Sequence, residues 1–272
     1  MTVRNEGAHI GPLLESLLAQ QPPFEIVITD AGSTDGTVET LQRYAMQTPQ
    51  LRWFPAAGSR GAGRNAAARM AHGEALAFID GDCVADPQWL AQLRGGLEQA
   101  EVVAGQTHYS GFSGFVGLGR VSVEHKGVDI TYPSCNLAYR TELFRRLGGF
   151  DTWFMTAEDV DLNFRAVETG ATLRFVPQAM VHARAREHTF AFCKQAFWNG
   201  YGRKQLTLKH GRLWGSYQPQ RMFANRVTVW SLLRLLCGMG GYAAGKMSLR
   251  RAGLGGPAHS RIVQRAGKKA GE

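Results

Sequence analysis

Short apolar runs alternate with stretches of helical periodicity through the first 150 residues. The runs at residues 24–29, 51–54, 75–79 and 101–105 are bounded by glycine, proline or polar residues and read as buried strands, with Thr2-Val3 as the tail of another. Between them, residues 10–20 place apolar side chains at helical spacing. Thr34-Asp35 can cap a helix through Val38, Leu41 and Tyr44. Residues 60–71 are alanine-rich, and Pro87 suits a first helical turn. Strands alternating with helices predict an α/β fold, a doubly wound, mainly parallel sheet with helices on both faces. The opening strand is short, since only Met1 to Val3 precede Arg4-Asn5-Glu6; either it is curtailed or the start lies upstream.

Past residue 106 the pattern loosens. Gly111, Gly114, Gly117 and Gly119 punctuate a loop. Residues 134–140 read as a strand or buried turn, and residues 141–147 as a helix ended by Gly148-Gly149. Thr156 can cap a further helix whose first turn carries Glu158, Asp159 and Asp161, acids that the helix dipole favours there.

The run Ala75-Leu76-Ala77-Phe78-Ile79 ends abruptly in Asp80-Gly81-Asp82. Two acids at the end of a buried strand are costly without a cation between them. A divalent cation carrying a phosphate is the usual solution, and a plain polar turn is the alternative. Asp30 also follows an apolar run. Open sheets bind ligands beyond the carboxyl ends of their strands, so two strand ends deliver acids to one rim.

Charge divides the chain. Of its 272 residues, 1–183 carry 14 basic against 20 acidic side chains, and 184–272 carry 17 against 2, giving −6 and +15 within the overall +9. A basic C-terminal part suits an anionic partner surface, membrane headgroups or nucleic acid. Nucleic acid is disfavoured, because no recognition motif accompanies the charge. Cys83, Cys135, Cys193 and Cys237 lie far apart without a CxxC pair, which argues against a zinc ribbon or a redox dithiol. No apolar segment of the signal-peptide kind follows Met1, so a cytoplasmic location is expected.

Several motifs, in order, resemble family 2 glycosyltransferases with the GT-A nucleotide-sugar-binding fold. Val3-Arg4-Asn5-Glu6 resembles the family's opening segment, and residues 28–37, ITDAGSTDGT, resemble its VDxGSTDGT signature, with Ala31 where a second acid often stands. Gly61 and Arg64-Asn65 resemble its GxxxARN helix start, and Asp80-Gly81-Asp82 its DxD. Cys135 to Arg140 with Gly148 to Asp151 resembles the NxAxRR…GGFDE segment, and Glu158-Asp159-Val160-Asp161-Leu162 matches EDxDL. The resemblance covers residues 1–205, expected as the catalytic domain.

The resemblance implies an inverting transfer of a sugar from a nucleotide-diphosphate donor to a hydroxyl acceptor, such as a lipid or lipid-linked glycan. It implies Mg²⁺ or Mn²⁺ held by Asp82 with Asp80, Asp80 being alternatively a ribose contact, and His182 as a further metal or diphosphate contact. Arg4, Asn5, Glu6, Asp30 and Arg64 would line the nucleotide pocket. Asp159 would be the general base with Glu158 assisting, and Asp161 a helix-stabilising acid. Asn136, Arg140, Trp198 and Arg203 would lie on the acceptor side, Arg203 able to hold phosphate. A sugar-phosphate nucleotidyltransferase is the competing enzyme class, but Arg4-Asn5-Glu6-Gly7 is a poor version of its glycine-rich loop. A membrane-tethered module without catalysis is the other alternative.

Residues 227–245 are mostly apolar, broken by Arg234 and by Gly238, Gly240 and Gly241, and flanked by Arg221, Arg226, Lys246, Arg250 and Arg251. That stretch suits a helix lying in the membrane interface better than a span. Residues 206–251 are therefore expected as a helical, membrane-associating segment on the cytoplasmic face. Residues 252–272, rich in Gly, Arg and Lys, are expected to be disordered.

Overall fold

The computed structural model describes residues 1–116, 118, 121–185, 188–211 and 227–251. Gly117, Gly119, Arg221, Arg226 and the expected tail 252–272 lie outside the described residues. Two compact units emerge, and their boundaries cut the chain several times. The first comprises residues 1–110, 132–152 and 162–184; the second comprises 111–131, 153–161 and 185–272.

In the first unit, β1 (Thr2–Val3), β2 (Ile26–Asp30) and β3 (Leu51–Pro55) pair in parallel in the order β1-β2-β3. A five-stranded sheet follows the order β4 (Ala75–Ile79), β9 (Asn136–Arg140), β6 (Val102–Ser110), β10 (Leu173–Arg184), β5 (Cys83–Ala85). Here the expectation of mainly parallel pairing meets a difference. β6 and β10 run parallel, but β9 is antiparallel to both β4 and β6, and β5 is antiparallel to β10. The strand that enters between β4 and β6 comes from residues 136–140, far along the chain, and local periodicity carries no information on the direction of so distant a partner.

Side chains alternate across the sheet, so one strand feeds two cores. Ile79, Val103 and Ala138 join one buried cluster with Leu13, Leu14 and Leu17 of α1 (Ile10–Leu18) and Trp89, Leu93 and Leu97 of α4 (Trp89–Leu97). Phe78, Val102, Ala104, Leu137 and Tyr139 join the other, with Ala68 of α3 (Arg60–Met70), Phe144 of α6 (Thr141–Arg146) and Leu162 and Ala166 of α7 (Glu158–Glu168). Helices therefore cover both faces. α2 (Thr37–Gln47) packs Leu41 into the first cluster.

One close approach fixes how α3 lies. A Cβ on Gly63 would stand 2.3 Å from the Thr2 hydroxyl. Only glycine lets α3 come down on β1, and the next residue is Arg64.

In the second unit, α5 (Ser113–Val116) precedes a hairpin of β7 (Glu124–His125) and β8 (Val128–Asp129). Lys126 and Gly127 sit at φ 50° and 78°, as a two-residue hairpin turn requires. Two long helices dominate: α8 (Thr189–His210) and α9 (Val229–Arg251). They meet backbone to backbone, since a Cβ on Gly200 would stand 1.9 Å from the Gly238 carbonyl and one on Gly241 1.8 Å from that of Phe197. Phe115 stacks on Phe192 at 4.4 Å and meets the edge of Trp230 at 5.0 Å. Among the described residues no helix is long and apolar enough to cross a membrane.

Candidate active site

The rim of the first unit is built from the ends of β1, β2 and β4. After β1 the chain turns at Asn5, held at φ 55°, a conformation costly for most side chains but tolerated by asparagine. Its backbone N–H donates to the Ser33 hydroxyl at 2.9 Å, and its side-chain oxygen accepts from the Thr34 N–H at 2.9 Å. The Glu6 N–H donates to the Thr37 hydroxyl, and the Gly7 N–H to Asp35 at 2.9 Å. The Thr37 hydroxyl donates in turn to Asp35 at 2.6 Å, and this bond, with the one from Gly7, holds the Asp35 carboxyl below its ordinary range. Two signature segments far apart in sequence are thus one knitted loop.

Asp30 is part of the knot. One oxygen accepts from the N–H groups of Gly32 and Ser33 at 2.9 and 3.0 Å, and the other from the Ser33 hydroxyl. Its observed work is to order the loop after β2. Arg4, next to Asn5 in sequence, is exposed.

At the end of β4, Arg64 is buried and its guanidinium donates to Asp80 at 2.6 Å, with its plane over the Phe150 ring at 5.6 Å. Burial works to raise the Asp80 carboxyl, but the Arg64 charge and hydrogen bond, with Arg60 behind them, outweigh it and hold Asp80 below the ordinary carboxylate range. Glu6 faces the opposite balance. Desolvation first, then the Asp82 charge, push its carboxyl above its ordinary value, and His9 at 3.4 Å only partly offsets this. A Cβ on Gly81 would stand 2.8 Å from Glu6 Cγ, so the glycine between the two aspartates is what lets Glu6 lie against them.

Glu6 thus lies beside the Asp80-Gly81-Asp82 turn, with Arg64 on Asp80 and His9 on Glu6. That donor set suits a hard cation carrying phosphate oxygens, which Mg²⁺ binds through one or two carboxylates plus the phosphates. Among the described residues no three His, Cys, Asp or Glu side chains already form a metal cage. The expected trio Asp80, Asp82 and His182 is therefore not assembled. Asp80 is engaged by Arg64, and His182, level with Val84 of β5, stacks on His108 at 5.8 Å.

Two acceptor-side expectations are corrected. Asn136 is fully buried and satisfied: its amide nitrogen donates to the carbonyls of Gln106 and Ala179 at 2.9 Å, and its oxygen accepts from the Trp89 indole at 2.8 Å. It staples β9, β6, β10 and α4. Arg140 pairs with Ala75 at the start of β4, whereas Asp80 follows Ile79 at its end. Four residues of strand, about 13 Å, separate those levels, and the Arg140 guanidinium donates instead to the Leu97 carbonyl at 2.6 Å. Asn65 plays a part its motif alone does not reveal: its side chain donates to the Phe150 carbonyl at 2.7 Å and accepts from the Phe150 N–H at 2.9 Å.

In the second unit the acidic turn opening α7 follows Ala157, held at φ 66°. A left-handed alanine costs about 1–2 kcal/mol, and such strain collects at functional turns. The three acids differ in fate. Glu158 is buried, Asp159 is partly exposed and accepts from the Val160 N–H, and Asp161 is wholly buried. Asp161 is more than a helix-stabilising acid, since Lys209 and His210 of α8 each reach it at 2.7 Å. On α8, Trp198 packs edge-on against Phe197 and Tyr201. No motif marks Lys209 and His210.

The family profile described as glycosyl transferase family 2 matches residues 1–155. The chain belongs to glycosyl transferase family 2. Membership sets glycosyl transfer ahead of the nucleotidyltransferase alternative. Similar proteins include the glycosyltransferase AglE of Haloferax volcanii, 27% identical over 64% of this chain and 62% of that protein. The succinoglycan biosynthesis protein ExoA of Rhizobium meliloti is 27% identical over 85% of this chain and 76% of its own length. The pre-mycofactocin glycosyltransferase of Mycobacterium tuberculosis is 24% identical over 89% of this chain, which spans only 53% of that relative. The fold is that of the mannosyltransferase PcManGT of Pyrobaculum calidifontis, solved with GDP-Man and Mn²⁺, at TM-score 0.63 and 20% identity over 99% of this chain and 78% of that one. TarS of S. aureus, solved with UDP-GlcNAc, matches at TM-score 0.58 and 20% identity over 90% of this chain and 79% of that one.

Proposed function

We propose that this glycosyltransferase moves a sugar from a nucleotide-diphosphate donor to a hydroxyl acceptor with inversion at the anomeric carbon. The observation that carries the reading is the placement of Glu6 against Gly81, between Asp80 and Asp82, at the end of β4. Relatives of the same fold crystallised with GDP-Man and Mn²⁺ or with UDP-GlcNAc support a donor of this class.

Asp82, with Asp80 or Glu6, would hold Mg²⁺ or Mn²⁺, which when bound supplies positive charge for the departing diphosphate. Arg4, Asn5 and the Asp30 loop form the nucleotide side, and Arg64 fixes Asp80 in place. Asp159 takes the proton of the acceptor hydroxyl as its oxygen bonds to the anomeric carbon and the bond from that carbon to the diphosphate oxygen breaks. Partial exposure at the start of a helix favours Asp159 for this task over the buried Glu158, which orients the turn. His182 and Arg203 are assigned to the diphosphate and Trp198 to the acceptor. A lipid or lipid-linked glycan is the proposed acceptor class, and the basic C-terminal region would hold the enzyme at an anionic membrane surface.

A thermal-shift screen of nucleoside diphosphates, each with and without Mn²⁺ or Mg²⁺, tests the donor class. Selective, metal-dependent stabilisation by one base is expected, because a ligand that binds only the native state raises its apparent stability. Equal responses to all bases, with or without metal, would remove the reading.

A further inference from the structure

α9 turns to solvent apolar side chains that a helix packed on a water-soluble surface would bury. Ser231, Gly241 and Gly245 are buried against the rest of the second unit, and Arg234 lies on that same inward side. The outward side is apolar: Val229 is 75% exposed, Leu232 46%, Leu236 65%, Met239 59% and Met247 61%. At 100° per residue these five positions fall within an arc of about 80°. Lys246, also exposed, sits at the edge of that arc, and α9 bears no acidic residue.

We propose that this stripe is a membrane-docking surface, by which α9 lies in the interface of an anionic bilayer with its leucines and methionines among the acyl chains. The inference rests on the membrane-surface reading above for its partner, and not on the transferase chemistry. Three observations choose the occupant. A row of exposed apolar side chains on one helix is a patch that soluble surfaces rarely carry without a partner. The helix is not apolar enough to span a bilayer, so a membrane would be met at its interface. Residues 184–272 carry 17 basic and 2 acidic side chains, so a second copy would bring +15 against +15, whereas anionic headgroups complement it. Nucleic acid would complement the charge but leaves the apolar stripe without a role.

The test is co-sedimentation of the full chain with vesicles of phosphatidylcholine, with and without phosphatidylglycerol, at low and high salt. The comparison is the double variant Leu232→Glu/Leu236→Glu and a milder Leu236→Ser. Thermal unfolding and the nucleoside-diphosphate shift, measured without vesicles, should match those of the wild type, because the side chains changed point outward. The wild type should bind phosphatidylglycerol vesicles and retain part of that binding at high salt. The double variant should lose at least about tenfold in partitioning, with Leu236→Ser in between. Wild-type partitioning by both variants would show that the basic residues act alone and would overturn the stripe's role. A dimeric wild type made monomeric by the double variant would assign the stripe to a second copy. Equal binding of both proteins to RNA in place of vesicles would assign the partner to nucleic acid. Loss of the nucleotide shift in the wild type would sink the donor reading and leave the docking result standing.

Discussion

Glu6 and Asp80 show how one neighbourhood can drive two carboxylates apart. Asp80 has Arg64 at 2.6 Å and is held ionised; Glu6 has Asp82 and a desolvated position, and its proton is held more tightly. A carboxyl whose pKa is raised on folding lowers stability once the pH passes its ordinary value. Glu6→Gln should therefore melt higher than the wild type at neutral pH in EDTA, and the gap should close as the pH falls below the ordinary carboxylate range. Added Mn²⁺ should narrow the gap at neutral pH, because a bound cation removes the repulsion that the variant lacks. A lower melting temperature for Glu6→Gln in EDTA would contradict the charge balance. At the other proposed centre, Asp159→Asn keeps shape and loses basicity. Turnover should fall by about 10²–10⁴-fold with the donor-induced thermal shift unchanged, as read by release of the nucleoside diphosphate under saturating donor.

At the scale of elements, the links between helices and turns matter more than any motif letter. Asp161 joins the first turn of α7 to the last turn of α8 through Lys209 and His210. Removing one partner of a buried ion pair leaves the others uncompensated, so Asp161→Ala should cost about 3–5 kcal/mol in urea unfolding. A loss below 1 kcal/mol would show that the cluster is solvated in solution. Ala157→Gly should go the other way, gaining stability by about 1 kcal/mol, because glycine adopts the left-handed turn without a steric cost.

These elements also show what a sequence can tell. The strand Ala75–Ile79 and the helix from Arg60 were legible because short apolar runs and alanine-rich stretches are local signals. The antiparallel entry of residues 136–140 was not, because strand pairing is decided by a partner dozens of residues away. Asn136 sits inside a motif yet serves the core, and only its three hydrogen bonds reveal that. Cysteine spacing is equally silent about contacts in the fold. Cys83 and Cys135 lie 52 positions apart yet share a hydrogen bond that, with burial, pushes the Cys83 thiol far above its ordinary range; Cys193 and Cys237 likewise meet across α8 and α9.

For the whole molecule, the division of charge fits the two proposed tasks: an acidic stretch for the donor and a basic one for a surface. Binding to phosphatidylglycerol vesicles should weaken as salt is raised through the physiological range, since the Debye length falls from about 10 Å at 0.1 M to about 3 Å at 1 M. Salt-independent sedimentation would deny the basic residues their part. The donor site tolerates no such ambiguity, and titration calorimetry of the preferred nucleoside diphosphate into the full chain tests it most directly. Binding should require Mn²⁺ or Mg²⁺, and Asp82→Ala should weaken it by at least about tenfold, equivalent to about 1.4 kcal/mol. An affinity unchanged by both EDTA and the substitution would contradict the claim that these carboxylates hold a cation and its diphosphate.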